Sequence, residues 1–344
     1  MAKSPLAKAR RLRQTDEVWE CSARRMRSWI TPRNQDPYRP YIVMVVLSQT
    51  GQIVGSNVIE GVPPPDLVLS ALARAMRRPA LGAGRKRRPT AIHIDDKSLV
   101  EALGPHLQEV GVRCDYRHTL REMEQALRSM EQFMTKQEPM PGLLKSPGVT
   151  LHLANGLFEA AAAYYRQAPW RWIDDSCPIE VHYPPDSRPY YTVVMGHGGE
   201  TFGLAVYNSP DDLHELYAGT PPKELLGQQE WTSLLFVEML EMPFDDLDDM
   251  EKYGWPVAGE LAYPFPVQVT RSGQPVRPGK SKLLWFEAAL LAIPTFVRDY
   301  MQAKVDRGVV RPAEATLTVT MADGKDSIRL RYPVAGFEIP YEMD

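Results

Sequence analysis

The stretch Arg188-Pro-Tyr-Tyr-Thr-Val-Val-Met-Gly-His-Gly-Gly-Glu-Thr-Phe-Gly-Leu-Ala-Val-Tyr207 holds two apolar runs of strand length on either side of Gly196-His197-Gly198-Gly199. Apolar runs broken by a glycine cluster read as a β-hairpin, because glycine supplies the positive φ that such turns need. Working outward, the sequence predicts a helix over residues 149–167, a strand over 179–183, a short helix from Asp211 and a strand over 232–239. A long helix follows over 281–304, then a second hairpin in which 315–320 pairs with 327–332 across Ala322-Asp323-Gly324-Lys325, an Asp-Gly turn. Residues 243–278 are rich in Pro, Gly and Tyr and are expected as ordered loop.

The N-terminal half has a different rhythm. Tyr41-Ile-Val-Met-Val-Val-Leu47 and residues 53–59 form a hairpin, and Pro63-Pro-Pro-Asp66 opens a helix to about Arg77. Ala91-Ile-His-Ile94 reads as a short buried strand, followed by a helix over 98–110 with Ser98 and Glu101 as a capping box. Residues 112–116 make a further strand, and Thr119 with Glu122 caps a helix through about Met134. Strands alternating with helices argue for an α/β layer with parallel pairing. The expected fold class is therefore α+β: a basic disordered arm (1–15), an α/β domain (16–138), an exposed Pro/Gly-rich linker (139–148) and an α+β domain with antiparallel hairpins (149–344).

With 344 residues, 44% hydrophobic and 24% charged, the chain can bury two cores. The most apolar segment, 283–297, is interrupted by Glu287 and Pro294 and falls short of the roughly 20 residues a membrane helix needs. The N-terminus is basic without the apolar run of a secretory signal, so a cytoplasmic protein that contacts no membrane is expected. Cys21, Cys114 and Cys177 are few and far apart, which argues against a disulfide framework or a thiolate metal site. Residues 1–140 hold 23 Lys+Arg against 15 Asp+Glu, whereas 141–344 hold 17 against 28. A basic half of this kind suits an acidic partner, protein or nucleic acid, with Arg77, Arg78, Arg85, Lys86, Arg87 and Arg88 as candidate binding residues.

Catalytic motifs are sparse. Gly273-Gln-Pro-Val-Arg-Pro-Gly279-Lys280-Ser281 has one residue too many for a phosphate-binding loop, and Pro275 and Pro278 have no N–H to donate. The glycines after Met195 join two strands, so they do not fit a dinucleotide fingerprint, and no Gly-x-Ser-x-Gly accompanies them. A minority reading keeps His197 and Glu200 at a cleft mouth beside Trp170 and Trp172. Asp245-Asp-Leu-Asp-Asp-Met-Glu251 lacks the glycine of a calcium loop and reads as a solvated acidic helix start. No cofactor and no metal-ligand set is expected from these patterns.

Asp95 and Asp96, directly after the strand 91–94, are the catalytic candidates. Hairpin, helix, strand ending in Asp, helix, strand, helix resembles the ribonuclease H-like layout, which implies carboxylates at strand ends holding two Mg²⁺ ions for phosphodiester cleavage. The departure is that the family's essential Asp lies on the first strand, whereas residues 41–47 carry no carboxylate. A second resemblance rests on Val18-Trp19-Glu20, Arg39-Pro40-Tyr41, Ala75-Met76-Arg77, the run Arg88 to Asp95, Pro169-Trp170-x-Trp172, the run Met195 to Leu204 and Tyr253-Gly254-Trp255-Pro256. This order is similar to that of uncharacterised bacterial proteins classed as domains of unknown function, which implies a bacterial protein and no mechanism. The sequence thus supports a non-catalytic binding module for protein or nucleic acid, with a metal-dependent nuclease or phosphotransfer enzyme as the alternative.

Overall fold

The computed structural model describes residues 5–135, 140–184, 188–217, 230–304 and 309–337. It divides into two compact units, Met1–Pro139 and Met140–Asp344. Each packs helices on a β-sheet, and the fold class is α+β. Among the described residues no helix is long and apolar enough to cross a membrane.

The first unit is built on β1 (Val18–Arg25), β2 (Tyr41–Leu47), β3 (Ile53–Ile59), β4 (Ala91–Ile94) and β5 (Arg113–Tyr116), ordered β3-β2-β1-β4-β5. The first three form an antiparallel meander, and β4 and β5 join parallel to β1. The continuously apolar β2 is buried on both faces. Its Val43 and Val45 face α1 (Pro65–Arg77) and α2 (Lys97–Gln108), while Ile42, Met44 and Val46 meet Leu120 and Met123 at the start of α3 (Arg121–Thr135). The opening strand is β1 and not the apolar run 41–47, because Trp19 and Cys21 alternate into the first of these cores.

Two further expectations change here. The described part of the N-terminal arm is ordered: Leu6 and Ala9 are buried in the core with α1 and α2, and Gln14 bridges Arg88 as in a parallel ladder. These two apolar side chains, with the backbone bonds to Arg88 and the Gln14 side-chain bonds to Pro89 O and Gly111 O, hold it. The cap of α2 is Asp96, whose carboxylate accepts from Leu99 N at 3.0 Å, and not Ser98.

In the second unit eight strands run β11-β10-β9-β8-β7-β6-β13-β12, every neighbouring pair antiparallel. They are β6 (Ile179–His182), β7 (Tyr190–Met195), β8 (Phe202–Tyr207), β9 (Trp231–Val237), β10 (Tyr263–Val269), β11 (Pro275–Val276), β12 (Ala313–Met321) and β13 (Gly324–Tyr332). The main core brings residues of α4 (Leu151–Gln167) and α7 (Lys280–Thr295) together with Val194, Leu204 and Leu234 of the sheet. The neighbouring residues Val193 and Ala205 belong instead to a smaller cluster with Leu213 of α5 (Pro210–Tyr217) and Phe337. This is the two-residue alternation of a sheet covered on both sides.

The expected loop 243–278 instead contains α6 (Phe244–Tyr253), β10 and β11. Pro264 and Pro266 mask β10 in the sequence. They are tolerated because β11 pairs only with Gln268 and Val269, which leaves the proline-bearing stretch without a second strand neighbour among the described residues. The acidic run is not all solvated. Asp246 is fully buried and ion-paired with Arg277, and it accepts a bond from Leu143 N at 2.7 Å. Arg277 also donates to Pro266 O at 3.0 Å and Pro141 O at 2.9 Å. The segment expected as an exposed linker is therefore, from Met140 onward, part of the second unit with Leu143 buried; residues 136–139 lie outside the described residues.

Candidate functional site

Parallel pairing sets Cys21 opposite Ile94, so Ser22, within β1, and Asp95, just past β4, come side by side at the carboxyl end of β4. Carboxyl ends of parallel strands are where open α/β sheets bind ligands. Ser22 Oγ donates to Asp95 Oδ2 at 2.9 Å, and Arg24 reaches the same oxygen with Nε at 2.9 Å and Nη2 at 2.5 Å. The other arm of the guanidinium, Nη1, donates to Glu124 of α3 at 2.6 Å. Burial opposes the charge of Arg24, but its bonds to Asp95 and Glu124 outweigh that and raise it above its ordinary range. Glu20 is engaged as well, accepting from Ser48 Oγ at 3.1 Å and from Met123 N at 2.8 Å.

The first strand thus carries a carboxylate after all, on β1, yet the cation between Asp95 and Glu124 is an arginine. Neighbouring β4 and β5 place His93 beside Asp115, 3.9 Å apart, with Arg113 Nε 2.7 Å from the same carboxylate. Burial and the charge of Arg117 push His93 down. Asp96 turns away to cap α2, so the two catalytic candidates do not act together. Among the described residues no three His, Cys, Asp or Glu side chains converge to hold a metal ion.

The six basic candidates separate into two groups. Arg87 ties Glu17 at 2.6 Å, bonds Ala83 O at 2.7 Å and covers the Trp19 ring at 5.5 Å. Arg88 bonds Val110 O at 2.6 Å and Arg10 O at 3.3 Å. Both hold the unit together. Arg77, Arg78, Arg85 and Lys86 are exposed, and their side chains have no hydrogen-bond or ion-pair partner among the described residues. Arg74, which sequence reading did not single out, belongs with them at helical spacing on α1. Arg74 and Arg78 border a cleft of about 310 Å³ against Gly55, Ser56 and Asn57 of β3. Arg10, Arg11 and Arg13 of the ordered arm are likewise exposed with unengaged side chains.

Of the aromatic candidates in the second unit, Trp170 and His197 come together, with His197 Nδ1 at 3.1 Å from Trp170 O. They line an open cleft of about 740 Å³ with Tyr165, Arg166, Arg171 and Phe202. Trp172 packs against the core and Glu200 is exposed on the turn; neither lines the cleft. The sharp reversal from α4 is made by Ala168 at φ 48°, a left-handed conformation costly for a side chain. It presents residues from both sides of the bend, Arg166 and Arg171, to one cleft.

The fold and these surfaces define an α+β protein with a guanidinium-filled carboxylate site and exposed cationic groups. Residues 5–131 match the family described as Domain of unknown function (DUF6930), and residues 155–307 match Domain of unknown function (DUF7309). The two matches follow one another along the chain. A search of curated proteins returns no match.

Proposed function

We propose that the protein is a non-catalytic binding module of the bacterial cytoplasm whose first unit takes an acidic macromolecule, nucleic acid being the class that fits. The observation that carries this reading is the group Arg74, Arg77, Arg78, Arg85 and Lys86: five exposed cations without a protein partner among the described residues. Charges meant only to brace the fold find carboxylates or carbonyls, as Arg87 and Arg88 do. Flexible side chains on a helix and its following loop track phosphates without reading bases, so binding is sequence-independent and electrostatic. A ribonuclease H-like reading of this unit is supported by the hairpin, the helix-linked parallel strands and Asp95 at the end of β4. Arg24, seated between Asp95 and Glu124, supports a form that binds without cutting.

Titration of labelled single- and double-stranded DNA and RNA at low and physiological salt tests the proposal. Affinity should fall steeply with salt, and each Arg or Lys replaced by Gln in this group should reduce the slope by about one. Absence of binding at low salt, or binding indifferent to these replacements, sinks it. Adding Mg²⁺ or Mn²⁺ to the same samples tests the nuclease alternative: strand cleavage that disappears in Asp95→Asn would establish an enzyme instead.

A further inference from the structure

The cleft of the second unit holds two arginines that the fold does not use. Neither Arg166 nor Arg171 has a side-chain hydrogen bond or ion pair among the described residues, although residues 141–344 hold 28 acidic side chains. The position of Arg166 in the last turn of α4 accounts for a cation there, since a helix carboxyl end favours positive charge. Nothing equivalent accounts for Arg171, which follows Trp170 in a 3₁₀ turn. The left-handed Ala168 between them is a local cost that brings both to one cleft, and such costs are concentrated at functional sites.

The same cleft is also lined by aromatic rings. Trp170 is almost wholly buried, with Phe202 at 5.0 Å and Tyr165 at 5.3 Å between ring centroids, both edge-on to it. Phe202 and Tyr165 are themselves only half-buried, so ring surface is offered to the cleft. His197 adds a polar group of defined tautomer. Because Trp170 O can only accept, Nδ1 carries the hydrogen of the 3.1 Å bond, and Nε2 is left without a protein partner among the described residues.

We infer that this cleft binds a nucleoside monophosphate, its base against Tyr165 and Phe202 and its phosphate between Arg166 and Arg171, with His197 Nε2 as an additional polar contact. Forked guanidinium groups match phosphate oxygens in geometry as well as charge. The space of about 740 Å³ lies within the range of small-molecule sites. An acidic half repels a long polyanion more than a single phosphate, which favours the mononucleotide over a nucleic-acid strand.

Calorimetric titration of the full chain with each of the four ribonucleoside 5′-monophosphates, and with adenosine and inorganic phosphate as partial probes, tests this. At least one monophosphate should bind once per chain, with adenosine and phosphate each about tenfold weaker or more. R171Q and R166Q should each weaken it about tenfold or more while the thermal melt stays unchanged. Silence from all four at about 1 mM would overturn the inference. So would phosphate binding as tightly as the nucleotide, or affinity unmoved in both variants. Oligonucleotide binding by the first unit should be unaffected by R171Q, so the two proposals fail separately.

Discussion

Gly196 is held at φ 130°, and a Cβ there would stand 2.6 Å from Phe202 Cδ1 and 2.9 Å from Trp170 Cγ. Both ring systems are packed, so Gly196→Ala must displace the cleft wall and take up a disfavoured backbone. A loss of about 2–3 kcal/mol is expected in chemical denaturation of the second unit. Glu287 makes a different demand. It is buried in the apolar helix α7, with Oε1 accepting from Ala322 N at 2.6 Å and Oε2 without a hydrogen-bond partner among the described residues. Burial raises its pKa, the Ala322 bond opposes this, and Asp323 adds to the rise. The folded protein therefore holds the proton more tightly than the unfolded chain. Its contribution is fully present below the ordinary carboxylate range and is lost as pH rises through the folded value. Glu287→Gln keeps an acceptor for Ala322 N and removes the charge. Denaturation curves should show the variant gaining on the wild type as pH rises, and a wild-type advantage growing with pH would refute this. Gly196 was legible as a hairpin glycine and Glu287 as a break in an apolar segment, but the glycine's crowding against Trp170 and the acid's bond to Ala322 were not, because those neighbours lie 26 and 35 residues away.

At the scale of elements, what could be read depended on whether one strand face alone carried the signal. The apolar β2 announced itself, and so did the hairpins around Gly196 and Asp323. The central β1 did not, although Trp19, Cys21 and Ala23 alternate with Glu20, Ser22 and Arg24; its period of two was there but its mean hydropathy was low. Missing β1 concealed the carboxylate site, since Glu20, Ser22 and Arg24 all lie on it. The candidate Asp95 was legible as a residue after a buried strand, but its neutralisation by Arg24 depends on a strand pairing across 71 residues. The acidic α6 was legible as a helix start, and its buried Asp246 was not, because the partner Arg277 lies 31 residues away. Burial raises Asp246 to about 6 despite the facing Arg277, whose own pKa burial lowers. Removing one partner leaves the other charge buried and unmatched. Asp246→Asn should cost about 3–5 kcal/mol, and replacing the pair together by apolar side chains should recover much of it. A loss in the double variant equal to the sum of the two single losses, measured by urea denaturation, would show that the pair is not coupled.

Across the whole molecule the division of charge follows the division of structure, with the basic residues concentrated before the boundary at Pro139 and the acidic ones after it. Each unit has its own sheet and its own buried cores, so fragments 1–139 and 140–344 should fold separately, each with a cooperative thermal transition. The starting residue of the second fragment is the sharper test. Its composition makes 139–148 look like a dispensable tether, but Leu143 is buried in the core, Leu143 N serves Asp246, and Arg277 donates to Pro141 O. A fragment beginning at 149 loses the side chain of Leu143 and leaves acceptor and donor positions of a buried ion pair unfilled. Burying a leucine contributes about 2 kcal/mol and each lost bond to a charged group about 1.5–3 kcal/mol more. The 149–344 fragment should therefore be less stable than 140–344 by several kcal/mol, or fail to fold at working temperature, while supplying residues 140–148 as a peptide should restore part of the loss. Equal urea midpoints for the two fragments would show that the segment is a tether after all.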